Sequence, residues 1–309
     1  MEVSDISFGM VMLLQISIGL SVNIFLLLFY AHVISTSHSL SSPNLILAHL
    51  AFANTIILLT GAIPDALSIW GLENFLSDVG CKFIIYSYRV ARGLVICTTC
   101  LLSVFQAVTI SPGTSRWAGV KAKLPKYVVP SCALSWVLNL VVDLTAPMDV
   151  TAPRNSSSVL IIFDLKYCTV VTMSSETALI NAVMFSVWDL FFVGLMSSAS
   201  GYMVFILHRH HRQVQHLHGP GRSPREMPEV QAAKRIVALV TLYVLLYGEQ
   251  SIMLSVLLNM KEKSSLLVIS HMVGSPAFSV VSPFLVIHSN RKMKGLWKRD
   301  SSGSKLDSS

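Results

Sequence analysis

The chain alternates long apolar segments with short polar ones. Seven of the apolar segments are long enough to cross a bilayer, because a hydrocarbon core of about 30 Å takes about 20 residues of helix. They run approximately over Phe8–Tyr30, Asn44–Ile63, Cys81–Val108, Tyr127–Ala146, Asn181–Leu207, Ile236–Leu258 and Leu266–Ile287. Their apolar character is continuous rather than alternating, which favours helices over a β-barrel. We therefore predict an all-α membrane protein, a bundle of seven transmembrane helices.

The composition supports a membrane protein and excludes a soluble enzyme. Of the 309 residues, 53% are hydrophobic and only 13% are charged, about half the roughly 25% of soluble proteins. No Asp, Glu, Lys or Arg occurs in the 59 residues from Ile6 to Pro64. The sequence also contains no nucleotide-binding loop, metal-ligand constellation or nucleophile-and-base pair. We expect no catalytic residues, no cofactor and no metal site.

The basic residues predict the orientation of the spans. The amino terminus and the loops after spans two, four and six hold five Lys and Arg residues, whereas the other side holds 16. Cytoplasmic loops carry the excess of basic residues, so the amino terminus is expected outside. The predicted organisation is a seven-span domain over residues 1–290 and a cytoplasmic tail over 291–309, in a multi-pass plasma-membrane protein. The net charge of +7 then reflects contact with anionic lipid rather than nucleic acid.

The outer loops contain two candidate modification sites. Asn155-Ser156-Ser157 is a glycosylation acceptor, and it falls in the loop assigned to the outside. Cys81 at the mouth of span three and Cys168 in the loop before span five both face an oxidising compartment, so we expect a disulfide. The alternative is two free thiols. Cys97 and Cys100 have the spacing of a redox motif, but within a span we interpret them as small apolar residues.

Four charged residues stand out well inside the predicted spans, and they are Arg89, Arg92, Asp189 and Glu249. Arg89 and Arg92 are three apart and share one helix face. Counted from the outer ends of their spans, Arg89, Asp189 and Glu249 lie at similar depths of roughly 12–14 Å. We therefore expect the two arginines to meet the two carboxylates, either as a structural ion pair or as the floor of a polar pocket. Asp143 lies near the outer end of span four and is expected to face water.

The chain resembles the vomeronasal type 1 receptors, a group of rhodopsin-like seven-helix G-protein-coupled receptors. The resemblance covers essentially the whole chain. Its motifs are Pro43-Asn44-Leu45-Ile46-Leu47-Ala48-His49-Leu50-Ala51-Phe52-Ala53-Asn54, Arg89-Val90-Ala91-Arg92-Gly93, Cys100 to Pro112, Ser115-Arg116-Trp117-Ala118 and Ser282-Pro283-Phe284. Asn54 stands where most rhodopsin-like receptors carry an aspartate that holds sodium, so we expect no sodium site. The stretch Tyr247-Gly248-Glu249-Gln250 fits the family least well.

The resemblance implies a chemosensory receptor for a pheromone or odorant that couples to an inhibitory-class heterotrimeric G protein. About seven residues precede span one, so we expect a small-molecule ligand to enter the helical bundle. The alternatives are a bitter-taste-type receptor and, from another class, a small-molecule transporter. A transporter usually shows internal repeats, and this sequence has no second copy of any of its motifs.

Two sets of residues are the candidate sites. The first is a ligand pocket in which the guanidinium groups face an anionic or hydrogen-bond-accepting ligand; its residues are Tyr88, Arg89, Arg92, Asp189 and Glu249. The second is a basic inner surface that contacts the G protein or, alternatively, only anchors the helices on anionic lipid. Its residues are Arg116, Lys121, Lys123, Lys126, Lys234 and Arg235.

Overall fold

The seven spans are helices in a computed structural model of the chain. The structure describes residues 3–37, 40–112, 118–152, 160–165, 167–172, 175–217, 228–259 and 265–289. Within these residues, seven helical segments are long and apolar enough to cross a membrane, which confirms the predicted architecture. Spans one to four are Val3–Ser37, Ser42–Ile57 continued by Ile63–Ile69, Asp78–Ile110, and Ala118–Val142; spans five to seven are Ser175–Leu217, Pro228–Asn259, and Ser265–Gly274 continued by Ala277–Ser289.

Most helices extend beyond the boundaries predicted from hydropathy. The length of an apolar segment matches the thickness of the hydrocarbon core, whereas the helix itself, held by backbone hydrogen bonds, continues into the interface. The fifth span differs most from the prediction, because its helix runs from Ser175 to Leu217 rather than from Asn181 to Leu207. The fourth helix begins at Ala118 rather than at Tyr127, and it ends at Val142 rather than at Ala146. The polar residues from Lys121 to Lys126 therefore lie within a helix and not in a loop.

The second span contains a π-helical turn over Leu58–Ala62. This turn lies between the helical segments Ser42–Ile57 and Ile63–Ile69. A Cβ at Gly61 would lie 2.6 Å from the ring of Tyr88, so a larger residue at this position would force that ring to move. The turn and the glycine together bring the second and third spans into close contact.

The third span is the central helix of the bundle. Its buried residues include Leu94, Ile96 and Leu102, and they form one apolar core with residues of the second, fifth and sixth spans. The fifth span instead exposes large apolar side chains such as Leu190 and Phe191. Exposed apolar side chains on a transmembrane helix are the surface that faces lipid.

The outer loop between spans four and five contains a small antiparallel sheet. Its strands are β1 (Val150–Thr151), β2 (Leu160–Asp164) and β3 (Thr169–Thr172), arranged in the order β1-β3-β2. A disulfide joins Cys168 to Cys81 at the outer end of the third span, with 5.6 Å between their Cα atoms. This bond confirms the predicted pairing, and it fixes the sheet above the bundle.

Candidate functional site

A cavity of about 520 Å³ opens between the third, fifth, sixth and seventh spans. Its volume lies within the range of roughly 300–1,000 Å³ that is usual for small-molecule sites. Tyr88, Arg89, Arg92 and Asp189 all line it, so the structure brings together four of the five residues predicted for the ligand pocket. Their role in binding stays a prediction.

Arg92 connects three spans at the centre of this cavity. Its Nη2 atom donates to Asp189 Oδ2 of the fifth span at 2.5 Å and to the Tyr247 hydroxyl of the sixth span at 2.6 Å. The Tyr247 hydroxyl in turn donates to the same Asp189 oxygen. The guanidinium also lies 5.0 Å from the centre of the Tyr247 ring, within the range of a cation–π contact. Arg92 therefore holds the fifth and sixth spans against the third.

Arg89 has a different carboxylate partner from the one expected. Its Nε atom donates to Asp143 Oδ1 at 2.8 Å. The prediction that Asp143 faces water was wrong, because the Asp143 side chain is only 8% exposed. Asp143 directly follows the fourth helix, and this places its carboxylate beside the third span rather than in the outer loop. Each arginine thus has its own carboxylate, Asp143 for Arg89 and Asp189 for Arg92.

Glu249 does not join this group. Its side chain is exposed, and it does not line the cavity. The sixth helix presents Tyr243, Tyr247 and Gln250 to the cavity, at intervals of four and three residues. Glu249 follows Tyr247 by only two residues, so its side chain points in a different direction. The prediction that Glu249 meets the arginines was therefore wrong, since equal depth in a membrane does not give equal direction.

Three buried side-chain polar atoms of the sixth and seventh spans lack hydrogen-bond partners among the described residues. They are Tyr243 Oη, Gln250 Oε1 and His271 Nδ1, and all three residues line the cavity. Sequence reasoning missed them, because neutral polar residues in a helix do not stand out as intramembrane charges do. One signal was available, since Gln250 belongs to the stretch that fits the family pattern least well.

The outer loop is attached to the bundle at several points close to the cavity. The Tyr167 hydroxyl donates to the buried Asp65 carboxylate at 2.8 Å, and the Ser68 hydroxyl donates to the Leu165 carbonyl at 3.3 Å. The backbone N–H of Ala152 donates to Asp78 Oδ1 at 2.7 Å. Burial, followed by the negative charge of Asp65, raises the pKa of Tyr167 well above its usual value. The phenol therefore stays protonated and continues to donate at physiological pH.

The first, second and seventh spans are connected by neutral amides. Asn54 Nδ2 donates to Ser282 Oγ at 3.0 Å and to Asn23 Oδ1 at 3.4 Å, and Asn23 Nδ2 donates to the Ser279 carbonyl at 2.9 Å. Asn54 is thus a hydrogen-bond donor to both the first and the seventh spans. These residues tie the three helices together on the inner side of the cavity.

The basic inner residues lie at the ends of the fourth and sixth spans. Lys123, Lys126 and Lys234 are exposed, and Lys121 and Arg235 are half-buried. Arg116, the glycosylation acceptor Asn155 and the tail over 291–309 lie outside the described residues. Their predicted roles in G-protein coupling and modification stay predictions.

A bundle of seven transmembrane helices, with a polar cavity between the helices and a disulfide-bound outer loop, is the architecture of a rhodopsin-like membrane receptor. The model of the vomeronasal organ pheromone receptor family matches residues 6–299, and the chain belongs to this family. It is therefore a chemosensory G-protein-coupled receptor and a multi-pass membrane protein. The family is one of receptors and not of enzymes.

Curated relatives from fish and primates match nearly the full chain. The chain is 37% identical over 287 residues to olfactory receptor class A-like protein 1 of Danio rerio, covering 93% of this chain and 90% of the relative. It is 39% identical over 289 residues to vomeronasal type-1 receptor 3 of Homo sapiens, covering 93% and 92%. It is 36% identical over 282 residues to vomeronasal type-1 receptor 4 of Homo sapiens, covering 91% and 93%.

Proposed function

We propose that this receptor binds a small pheromone or odorant in the cavity around Arg92 and then activates an inhibitory-class heterotrimeric G protein. The observation that carries the proposal is the contact of Arg92 with Asp189 and Tyr247, which joins three spans inside a cavity of ligand size. A ligand in this cavity contacts all three spans. It can therefore change their relative positions by binding one arrangement more tightly than another.

The inner surface is the second part of the proposal. Lys234 and Arg235 lie near the inner end of the sixth span, and Lys121, Lys123 and Lys126 lie near the inner end of the fourth. Outward movement of the sixth span opens a space between the helix ends, and we propose that these basic residues, with Arg116, contact the G protein there. The competing role is anchoring to anionic lipid.

The experiment that tests the binding site is a pair of neighbouring tryptophan substitutions in the fifth span. Ser186 lines the cavity and is exposed, whereas its neighbour Val187 is exposed but does not line the cavity. In cells that express the receptor, active compounds from an odorant and steroid screen should lower cyclic AMP in a pertussis-toxin-sensitive manner. Ser186→Trp should abolish this response at normal surface level, and Val187→Trp should preserve it.

Two results would contradict the proposed function. If Ser186→Trp and Val187→Trp respond like the unmodified receptor, the ligand does not occupy this cavity. If the active compounds cross the membrane through the protein without any nucleotide exchange on a G protein, the chain acts as a transporter. A response that resists pertussis toxin would reject only the inhibitory class of G protein.

A further inference from the structure

The ring of Tyr88 lies against a glycine of the second span at the edge of the cavity. Tyr88 and Ile57 line the cavity, whereas Gly61, one turn after Ile57, is buried and is not among the described residues of the cavity wall. A Cβ at position 61 would lie 2.6 Å from Cδ2 and 2.7 Å from Cε2 of Tyr88. The ring therefore occupies the space that a side chain at position 61 would need.

The surroundings of the Tyr88 ring determine the direction in which it can move. The ring packs against the apolar core of the bundle, and its hydroxyl interacts with the side chain of Ser275, which also lines the cavity. Protein cores are close-packed and hold few voids. The cavity, in contrast, is empty space of about 520 Å³ beside the ring. A ring that is pushed from the second span therefore moves toward the cavity.

We infer that Gly61 is a specificity-determining residue that acts through Tyr88. Because it has no side chain, Gly61 lets the ring lie back against the second span and keeps this side of the cavity wide. The receptor then accepts bulky ligands that a larger residue at position 61 would exclude. This inference rests on the proposed function and deepens it, since it concerns the size of the molecules that the same cavity binds.

The size of the effect follows from the contact distance. Carbon atoms in contact lie about 3.5–4.0 Å apart, so a Cβ at 2.6 Å from the Tyr88 ring displaces that ring by about 1 Å. A ligand that fills the cavity up to the ring loses this space, and such overpacking weakens binding by about five- to hundredfold. A ligand that leaves the space empty loses nothing. The effect of a side chain at position 61 therefore depends on ligand size.

The test uses the full-length receptor in cells and a panel of monocyclic terpenes, bicyclic terpenes and four-ring steroids, with cyclic AMP as the readout. The unmodified receptor should respond to the larger classes. Gly61→Ala should weaken the response to the largest active compounds at least about tenfold, while the smallest active compounds keep their potency. The matched control is Gly194→Ala, where nothing lies within 4 Å of the new Cβ, and it should respond like the unmodified receptor.

Two outcomes of this panel would overturn the inference. One is a response of the unmodified receptor to the monocyclic terpenes alone, or to no class, because the cavity would then not take bulky molecules. The other is a Gly61→Ala receptor whose potencies are unchanged, or are lowered equally for compounds of every size. An equal loss would mean that the glycine serves the packing of the helices and not the choice of ligand.

A second substitution tests the role of the ring. Tyr88→Ala removes the group that carries the effect from position 61 to the cavity. In this background Gly61→Ala should have no further effect on the largest active compounds, which is a double-mutant cycle with a strong interaction between the two sites. If Gly61→Ala weakens these compounds to the same extent with and without the ring, the effect does not pass through Tyr88 and the inference is wrong.

Surface level and a larger substitution keep the inference open to contradiction if a variant folds poorly. A Gly61→Ala receptor that does not reach the surface would show that the ring cannot yield toward the cavity, which overturns the inference. If Tyr88→Ala does not reach the surface, Gly61→Val decides, because it should exclude smaller compounds than Gly61→Ala does. An identical size limit in these two Gly61 variants would contradict the inference.

The Ser186→Trp receptor separates this inference from the proposed function. If Ser186→Trp abolishes the responses while Gly61→Ala and Gly61→Val leave the size limit unchanged, the proposed function stands and the inference is wrong. If Ser186→Trp leaves all responses intact, ligands do not occupy this cavity, and the proposed function and the inference are both wrong.

Discussion

Gly93 lies directly against Asn139, so that a Cβ at position 93 would overlap Asn139 Oδ1. The Asn139 amide is held in place by its Nδ2 atom, which donates to the Ser135 carbonyl at 2.7 Å. The third and fourth spans therefore approach each other through a glycine on one helix and a small polar side chain on the other. Close approach at small residues is a general way to associate transmembrane helices.

The first prediction concerns this contact. Gly93→Ala should lower the melting temperature of the purified receptor and its surface level, because the new methyl group displaces Asn139. The control is Gly194→Ala in the fifth span, where nothing lies within 4 Å of the new Cβ. In a helix this control should be neutral or stabilising by up to roughly 1 kcal/mol. Equal melting temperatures for Gly93→Ala and Gly194→Ala would show that the close contact between the third and fourth spans does not contribute to stability.

The second prediction concerns the ion pair in the cavity. Arg92→Gln and Asp189→Asn should each destabilise the receptor by about 1–3 kcal/mol, because each leaves a partly buried charge without its partner. The Arg92 side chain is 38% exposed, so water in the cavity keeps the cost below that of a fully buried pair. The double variant should lose less than the sum of the two single variants in thermal unfolding. Strictly additive losses would mean that the two side chains do not interact.

The third prediction concerns the disulfide of the outer loop. Cys81→Ser or Cys168→Ser should destabilise the receptor by about 2–5 kcal/mol and reduce surface delivery, because the sheet is released from the third span. Cys132, a free and half-buried cysteine, provides the control, and Cys132→Ser should have a smaller effect. Normal surface level and signalling of both outer-loop variants would show that the bridge is dispensable.

The fourth prediction concerns the second attachment of the outer loop. Tyr167→Phe should cost about 1–3 kcal/mol, since Asp65 loses the phenol that donates to it. Because the folded protein raises the pKa of Tyr167, this stabilisation is complete below about pH 10 and decreases as the pH rises further. The difference in melting temperature between the unmodified receptor and Tyr167→Phe should therefore shrink in alkali. A difference that is constant with pH, or as small as that of the exposed control Tyr127→Phe, would contradict the prediction.

The fifth prediction concerns the inner surface. Neutralising Lys234 and Arg235 together with glutamine should reduce nucleotide exchange on the G protein while the surface level stays normal. Lys82, an exposed basic residue near the outer end of the third span, is the control, and Lys82→Gln should leave exchange unchanged. Equal losses of surface level and exchange in the inner variant would favour lipid anchoring instead.

Hydropathy predicted the spans because the bilayer imposes a simple length requirement on each of them. It also located Arg92 and Asp189, since a charge in a membrane stands out against apolar neighbours. The partners of the charges were harder to predict. Depth along a span can be counted from sequence, whereas direction around the helix depends on its exact start and on its neighbours. This is why Glu249 was placed with the arginines and Asp143 was not.

The neutral polar residues of the cavity could not be recognised as site residues from the sequence. Gln250, His271 and Tyr243 have residue types that occur in many helices, and their significance lies in the absence of partners for their polar atoms among the described residues. Such an absence is a property of three-dimensional packing. The Arg89-Val90-Ala91-Arg92-Gly93 motif similarly shows its meaning only in the structure, where its two arginines bind different spans and its glycine admits the side chain of Asn139.

The π-helical turn at Leu58–Ala62 makes the outer end of the second span sensitive to chain length. Such a turn holds one more residue than an α-helical turn, so every later residue is rotated by about 100° relative to an uninterrupted helix. Asp65 and Ser68, which bind the outer loop, follow the turn. Loss of one codon within it would convert the turn to α-helix and direct Asp65 away from Tyr167. A deletion that removes no contact residue would thus break the contact of the second span with the loop, which the disulfide would still hold to the third span, and a compensating insertion before Asp65 would restore the contact.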